Sequence, residues 1–420
     1  MTPSAAPSGR FAPSPSGPLH FGSLYTACAS YLDARQKGLR WVVRIEDVDE
    51  SRCDPAKTAT VEAQLRAYGF AWDEPALRQS RRKAAYVKAL ARLARQGEIF
   101  ACAMSRKEFA RQGGAPLSPG RGAALSEAQL FDFLDRELGM AVFPDGSGES
   151  GSGESEGGCE GCCEGGGENR NGGDGESENG RRNEAAQAPR RLIAPGRFCV
   201  LRQARAPLEG FARGAGEESL GRERWRAPDP RPGWPGAALR RAGDARCLGQ
   251  AIRMRARDEV ASADDEVFGR VEQNILRDVG DFALLGRDGH FSYQLSSVVD
   301  DAAQGVERVV RGADLLDSTP RQIFLARRLG APAVSYAHLP LIVNRRGEKW
   351  SKQTRAPALP FERPARARAL RLALKLLGVD GEWMREADCA ALLEGAVGRF
   401  DWRRIATAPI ALDLGQGFGA

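Results

Sequence analysis

The chain has 420 residues, of which 42% are hydrophobic, and 61 lysines and arginines stand against 55 aspartates and glutamates for a formal net charge of +6. That apolar fraction supplies a core for two or three domains and excludes a wholly disordered protein. No run of 18 apolar residues occurs, and the first twenty residues hold no apolar stretch before a small-residue cleavage site, so neither a membrane-spanning helix nor an export signal is expected.

The elements are read in chain order. GRFAPS (9–14) predicts a strand ending at a proline-stiffened turn, and a helix is expected from about Phe21 to Gly38. Gly17 and Gly22 would let a phosphate approach the backbone, with His20 at the mouth of the helix. WVVRIED (41–47) reads as a buried strand, 56–69 and 81–97 as amphipathic helices, and IFAC (99–102) as a further strand. Strand alternating with helix argues for a parallel sheet.

Residues 144–190 carry almost no aliphatic or aromatic side chains, and 191–246 are rich in Arg, Pro and Gly without period. Together they read as a largely disordered insertion, 144–246, with a basic linker at its end. Beyond it, QAIRMRA (250–256), DFALLGRDGHFSYQ (281–294, turning at 287–289), GVERVVRGADLL (305–316) and LPLIVN (339–344) give strand signals. Helical patterns cover 318–329 and 363–377, and no internal repeat is found. The nine cysteines are odd in number and irregularly spaced, which points to reduced thiols and, with no export signal, to a cytoplasmic protein.

Two phrases, PLHFG (18–22) and KWSKQ (349–353), resemble the histidine and lysine signatures of class I aminoacyl-tRNA synthetases, in the same order. The resemblance implies a Rossmann-type parallel sheet split as 8–143 and 247–356, with a small helical cap at 357–420. It also implies ATP with Mg²⁺, held by His20, Gly22, Lys349 and Lys352, with His20 and Lys352 in catalytic roles. An amino acid carboxylate would attack the α-phosphorus in line and release pyrophosphate, a step that asks for positioning and cations rather than a nucleophile from the enzyme. Ser23 stands where the family carries a second histidine.

RIEDVDESR (44–52), GRFAPSPSG (9–17) and YQLSSVVDDAAQGVERVVRGADLL (293–316) resemble the glutamate-specific branch of that class. Two carboxylates and one ammonium on glutamate call for two cations and one acid: Arg10 and Arg311 as carboxylate-binding forks, in either assignment, and Glu46 for the amine. Phe11, Ala12, Pro13 and Ser14 would line the same turn, and Tyr293 would add a hydrogen bond.

KWSKQTRAPAL (349–359) and LHFGSL (19–24) are closer to the glutamyl-Q tRNA(Asp) synthetases, and residues 354–420 are too few for an anticodon-reading domain of ordinary size. Membership would imply a monomer that activates glutamate without tRNA and transfers it to queuosine at the wobble position of tRNA(Asp). The alternatives are a glutamyl-tRNA synthetase acting on an acceptor end and an RNA-binding relative without activity. The family's structural zinc is not expected here. Cys102 is present, but Met104 occupies the second ligand position, LSPGRGA (117–123) lacks both Tyr and Cys, and Cys199 has no tyrosine beside it.

Overall fold

A computed structural model describes residues 6–49, 53, 55–104, 123–138, 249–350, 356–385 and 387–413. The insertion expected at 144–246 lies outside the described residues.

The sheet starts with β1 (Ser8–Phe11), which leads through the Pro-rich turn into α1 (Phe21–Gln36) and back to β2 (Arg40–Ile45). β2 lies parallel to β1, with Arg10 opposite Val42 and Phe11 opposite Val43. The crossover is tight because Gly9 faces Ala34 of α1, where a Cβ on residue 9 would lie 3.0 Å from that of Ala34. After α2 (Pro55–Ala67) the two-residue β3 (Leu77–Arg78) adds parallel to β2.

α3 (Lys83–Arg95) follows, and then β4 (Ile99–Cys102), the IFAC strand. β4 is a strand as expected, but it leaves the parallel sheet. It pairs antiparallel with β5 (Ala251–Met254) across α4 (Glu127–Leu138) and the residues outside the description, and β8 (Phe282–Leu285) completes a separate three-stranded sheet. Between β5 and β8 comes an unexpected hairpin, β6 (Val260–Asp265) and β7 (Gly269–Asn274). Its tight turn is closed by Asp265, which accepts from the N–H groups of Val267 and Phe268, and by Gly269 at φ 72°.

The expected turn at 287–289 leads not into more strand but into α5 (Tyr293–Ala303), whose first turn is capped by Ser292 accepting from the Leu295 N–H. β9 (Val306–Gly312) then inserts beside β1, α6 (Ser318–Leu329) matches the expected helix, and β10 (Ser335–Leu339) pairs parallel with β9. The seven strands run in the order β3-β2-β1-β9-β10-β6-β7, parallel except for the β6–β7 hairpin at the edge.

The strand expected at 339–344 is divided: β10 ends at Leu339, Pro340 cannot donate to a ladder, and β11 (Ile342–Val343) pairs instead with β12 (Ile410–Ala411). α7 (Arg363–Leu376) and α8 (Cys389–Val397) form the helical cap. Leu370, Ala373, Leu374, Leu392 and Leu393 pack with Leu24, Tyr25, Cys28 and Leu32, so α1 is covered by the sheet on one side and the cap on the other. This explains why α1 is apolar nearly all round. Among the described residues no helix is long and apolar enough to cross a membrane.

Candidate active site

Alternation along β2 sends Trp41, Val43 and Ile45 into the core shared with α1, and Arg44 and Glu46 to the opposite face. There they meet α5. Arg44, fully buried, donates to Asp301 at 2.6 Å, and its Nη2 lies 3.6 Å from Glu46. Arg10, from the neighbouring strand, donates to the Val310 carbonyl at 3.0 Å and places its Nε 3.5 Å from the same Asp301. Ser297 of α5 donates to Glu46 over 3.4 Å.

Arg311, near the carboxyl end of β9, is also buried. Its Nε donates to Nε2 of His338 at 3.0 Å, Nη1 to the Tyr293 hydroxyl at 3.1 Å and Gln322 at 2.7 Å, and Nη2 to Thr319 at 2.7 Å. Four of its five donors are thus engaged by described residues, so the guanidinium offers less of a free fork than the sequence suggested. The Tyr293 hydroxyl bonded to it belongs to a half-buried side chain at the start of α5.

Arg10, Glu46 and Arg311 come together at the carboxyl edge of the parallel strands. Burial pushes the Glu46 carboxyl above its ordinary range, although Arg44, Arg10 and Arg311 all act on it in the opposite direction. An ammonium group placed against Glu46 would favour its ionised form. Burial works against ionisation of Asp301 too, but Arg44, Arg10 and Arg311 hold its carboxyl below the usual range, which favours the ionised form beside them.

The turn residues line one side of this edge. The Glu46 N–H donates to the Pro13 carbonyl at 3.0 Å, tying the end of β2 to the turn after β1; Phe11 and Pro13 are buried, Ala12 is half-buried and Ser14 is exposed. His20 is the N-terminal cap residue of α1, and its carbonyl accepts from the N–H groups of Ser23 and Leu24. A Cβ on Gly22 would lie 3.2 Å from the His20 ring and 4.0 Å from the Trp350 carbonyl oxygen. His20 also forms an isolated bridge with Ala358, supported by Leu359 donating to the Leu19 carbonyl at 2.9 Å. The histidine motif therefore touches both sides of the lysine segment, at Trp350 and at Ala358. Lys352 lies outside the described residues. Lys349 is exposed and pairs with Asp314, two residues past the end of β9.

Three residues at this site were given no role from the sequence: Arg44, which opens the phrase 44–52, Asp301 and His338. Asp301 and Arg44 are 257 positions apart. Asp301 does fall within the phrase 293–316 that resembles the glutamate branch. A cavity of about 690 Å³ lies elsewhere, between Gln36 and the cap residues Arg399, Trp402 and Arg404, and none of the expected site residues lines it.

Cys102 is buried in a small cluster with Phe100 and Met104. LSPGRGA, up to Gly122, and Cys199 lie outside the described residues, and among the described residues no three His, Cys, Asp or Glu side chains come together as a metal site.

The family model for class I tRNA synthetases (E and Q), catalytic domain, matches residues 8–118 and 240–365. The glutamyl-Q tRNA(Asp) synthetase of Thiobacillus denitrificans is 36% identical over 360 residues, covering 86% of this chain and 82% of that protein. That of Chromobacterium violaceum is 34% identical over 409 residues, covering 97% of each. This chain belongs to the glutamyl-Q tRNA(Asp) synthetase family. The fold is shared with the glutamate-tRNA synthetase of Elizabethkingia anophelis, with a TM-score of 0.58 at 17% identity over 98% of this chain and 69% of that one. As in that class, the family member described here carries a mostly parallel sheet with its candidate site at the strands' carboxyl ends.

Proposed function

We infer that the chain activates glutamate with ATP and Mg²⁺ to glutamyl-adenylate and transfers the glutamyl group to queuosine at the wobble position of tRNA(Asp), acting as a cytoplasmic monomer. The observation that carries this reading is the convergence of Arg10, Glu46 and Arg311, two cations and one acid from three separate segments, in one electrostatic cluster. That set complements the two carboxylates and one ammonium of glutamate. Family membership supports the adenylate chemistry.

In this reading Arg10 and Arg311 hold the carboxylates, Glu46 the amine and Tyr293 a carboxylate oxygen, while residues 11–14 wall the turn. His20, Gly22, Lys349 and Lys352 surround the triphosphate. The glutamate α-carboxylate attacks the α-phosphorus and pyrophosphate leaves with the electron pair of the broken P–O bond, the cations offsetting the charge that builds on the phosphates. A queuosine hydroxyl then attacks the activated carbonyl and AMP departs.

The test is glutamate-dependent pyrophosphate exchange without tRNA, followed by glutamyl transfer to queuosine-containing and queuosine-free tRNA(Asp). Exchange and transfer to the queuosine-containing tRNA alone are expected. Charging of a tRNA acceptor end in place of queuosine would overturn the assignment.

A further inference from the structure

We propose that His338 and Asp265 are positioning residues for glutamate, aligning the Arg311 guanidinium through its Nε so that it meets a substrate carboxylate in one orientation. The proposal rests on the reading of Arg311 as a glutamate ligand and goes beyond it, to residues that never touch the substrate.

The register of β9 and β10 sets Arg311 directly beside His338, and β6 brings Asp265 to the other side of the same histidine. Asp265 Oδ2 lies 2.6 Å from His338 Nδ1, and His338 Nε2 lies 3.0 Å from Arg311 Nε. The polarity of this chain has one solution. An arginine Nε–H can only donate, so Nε2 of the imidazole must accept and Nδ1 must carry the proton that Asp265 receives. Burial moves His338 below the ordinary histidine range, which keeps the ring neutral and the Nε2 lone pair available.

Neither end of the relay can rotate. The Oδ1 atom of Asp265 accepts from the N–H groups of Val267 and Phe268 at 3.1 and 3.0 Å, and the side chain is 1% exposed. The His338 ring is fully buried and stacks on Tyr336 at 6.1 Å, and the Arg311 Cζ lies 5.5 Å from that same Tyr336 ring. Thr319 and Gln322 of α6 hold the two Nη atoms, so the guanidinium is fixed on several sides and reaches the half-buried Tyr293. Supporting shells of this kind set ligand orientation to within a fraction of an ångström.

The experiment uses the full chain and three variants: His338→Leu, which keeps bulk but removes the acceptor; His338→Gln, whose amide oxygen can still accept from Arg311; and Asp265→Asn, which removes the anchoring charge. Glutamate KM and ATP KM are measured separately in tRNA-free pyrophosphate exchange, alongside melting temperature. His338→Leu and Asp265→Asn should raise glutamate KM by roughly tenfold or more while ATP KM stays within about twofold, and His338→Gln should recover much of the loss. If His338→Leu does not fold, Asp265→Asn carries the same criterion, with His338→Gln expected close to wild type. A purely structural role would lower the melting temperature without separating the two constants. Unchanged glutamate KM in folded His338→Leu or Asp265→Asn, or equal rises in both constants, would overturn the proposal while leaving wild-type exchange intact. Absence of glutamate-dependent exchange in the wild type would instead remove the substrate reading, and the relay with it.

Discussion

Arg44 donates to Asp301 across 2.6 Å from β2 to α5, with the arginine fully buried. This single carboxylate also faces Arg10 at 3.5 Å, so it balances two guanidinium groups that no solvent reaches. Replacing it removes the nearest acid of both and leaves Arg44 with Glu46 at 3.6 Å.

Asp301→Asn should therefore be strongly destabilising, by about 3–5 kcal/mol, the usual consequence of removing one partner from a buried pair. Urea unfolding of the purified variant against wild type measures this. A loss below about 1 kcal/mol would show that water or a neighbouring acid replaces Asp301.

Arg311→Ala should abolish glutamate-dependent pyrophosphate exchange. Arg311→Lys, which keeps the charge but cannot reproduce the set of contacts to His338, Tyr293, Gln322 and Thr319, should retain only a small fraction of kcat/KM. Unchanged exchange in either folded variant would take Arg311 out of the site.

Gly22→Ala separates stability from binding. Within a helix the substitution gains up to about 1 kcal/mol of propensity. The added Cβ would meet the His20 ring at 3.2 Å and displace it by a few tenths of an ångström. The expected result is an unchanged or slightly raised melting temperature with ATP KM several-fold higher and glutamate KM little altered. A fall in stability with ATP KM unmoved would contradict the placement of His20.

The His338 imidazole gives a pH signature. Burial depresses its folded pKa below the ordinary value near 6.5, with Arg311 and Arg10 pushing the same way and Asp265 opposing them. The unfolded chain then binds the proton more readily, so this contribution to stability is complete above about pH 6.5 and is lost as pH falls towards the folded pKa. Melting temperature between pH 7.5 and 5.5 should drop more steeply for wild type than for His338→Gln. Parallel curves would place the histidine's proton elsewhere.

Cys102 packs against Phe100 and Met104, and a thioether is a poor zinc ligand beside a thiolate. Elemental analysis should find well under one zinc per chain, and chelation should leave the melting temperature unchanged. One tightly held zinc would mean that ligands are recruited from elsewhere.

The elements read from sequence were those with a strong local signal. The Pro-rich turn marked the start of α1, although β1 ends at Phe11 rather than at Ser14, and the 3.6-residue apolar period placed α6 at the bounds observed. The β6–β7 hairpin escaped because VASADD and GRVEQN lie at the sheet edge with many exposed positions and have no apolar alternation. IFAC was legible as a strand, but local pattern says nothing about which sheet a strand joins or in which direction. α5 was hidden because its helix begins directly after a hairpin whose apolar residues read as more strand.

At the site, Arg10, Glu46 and Arg311 were visible through phrases that resemble a known branch, and the structure gathers them. Arg44, although it opens one of those phrases, and His338 were given no role, because each matters through partners distant in sequence: Asp301 for the first, and Asp265 with Arg311 for the second. A buried pair leaves no periodicity in either segment.

The position of β1 between β2 and β9 has a consequence for biosynthesis. One flank of β1 is completed by β2, where Val42 lies opposite Arg10, but the other must wait for a strand whose Val310 bonds to Arg10 from 300 residues away. At translation rates of roughly 5–20 residues per second the nascent chain carries an open strand edge, with its backbone N–H and C=O groups unpaired, for about 15–60 s. The ribosome-bound intermediate is thus the state most exposed to chaperones and to misassociation, and stalled nascent chains that already resist protease before β9 emerges would show that something else covers that edge.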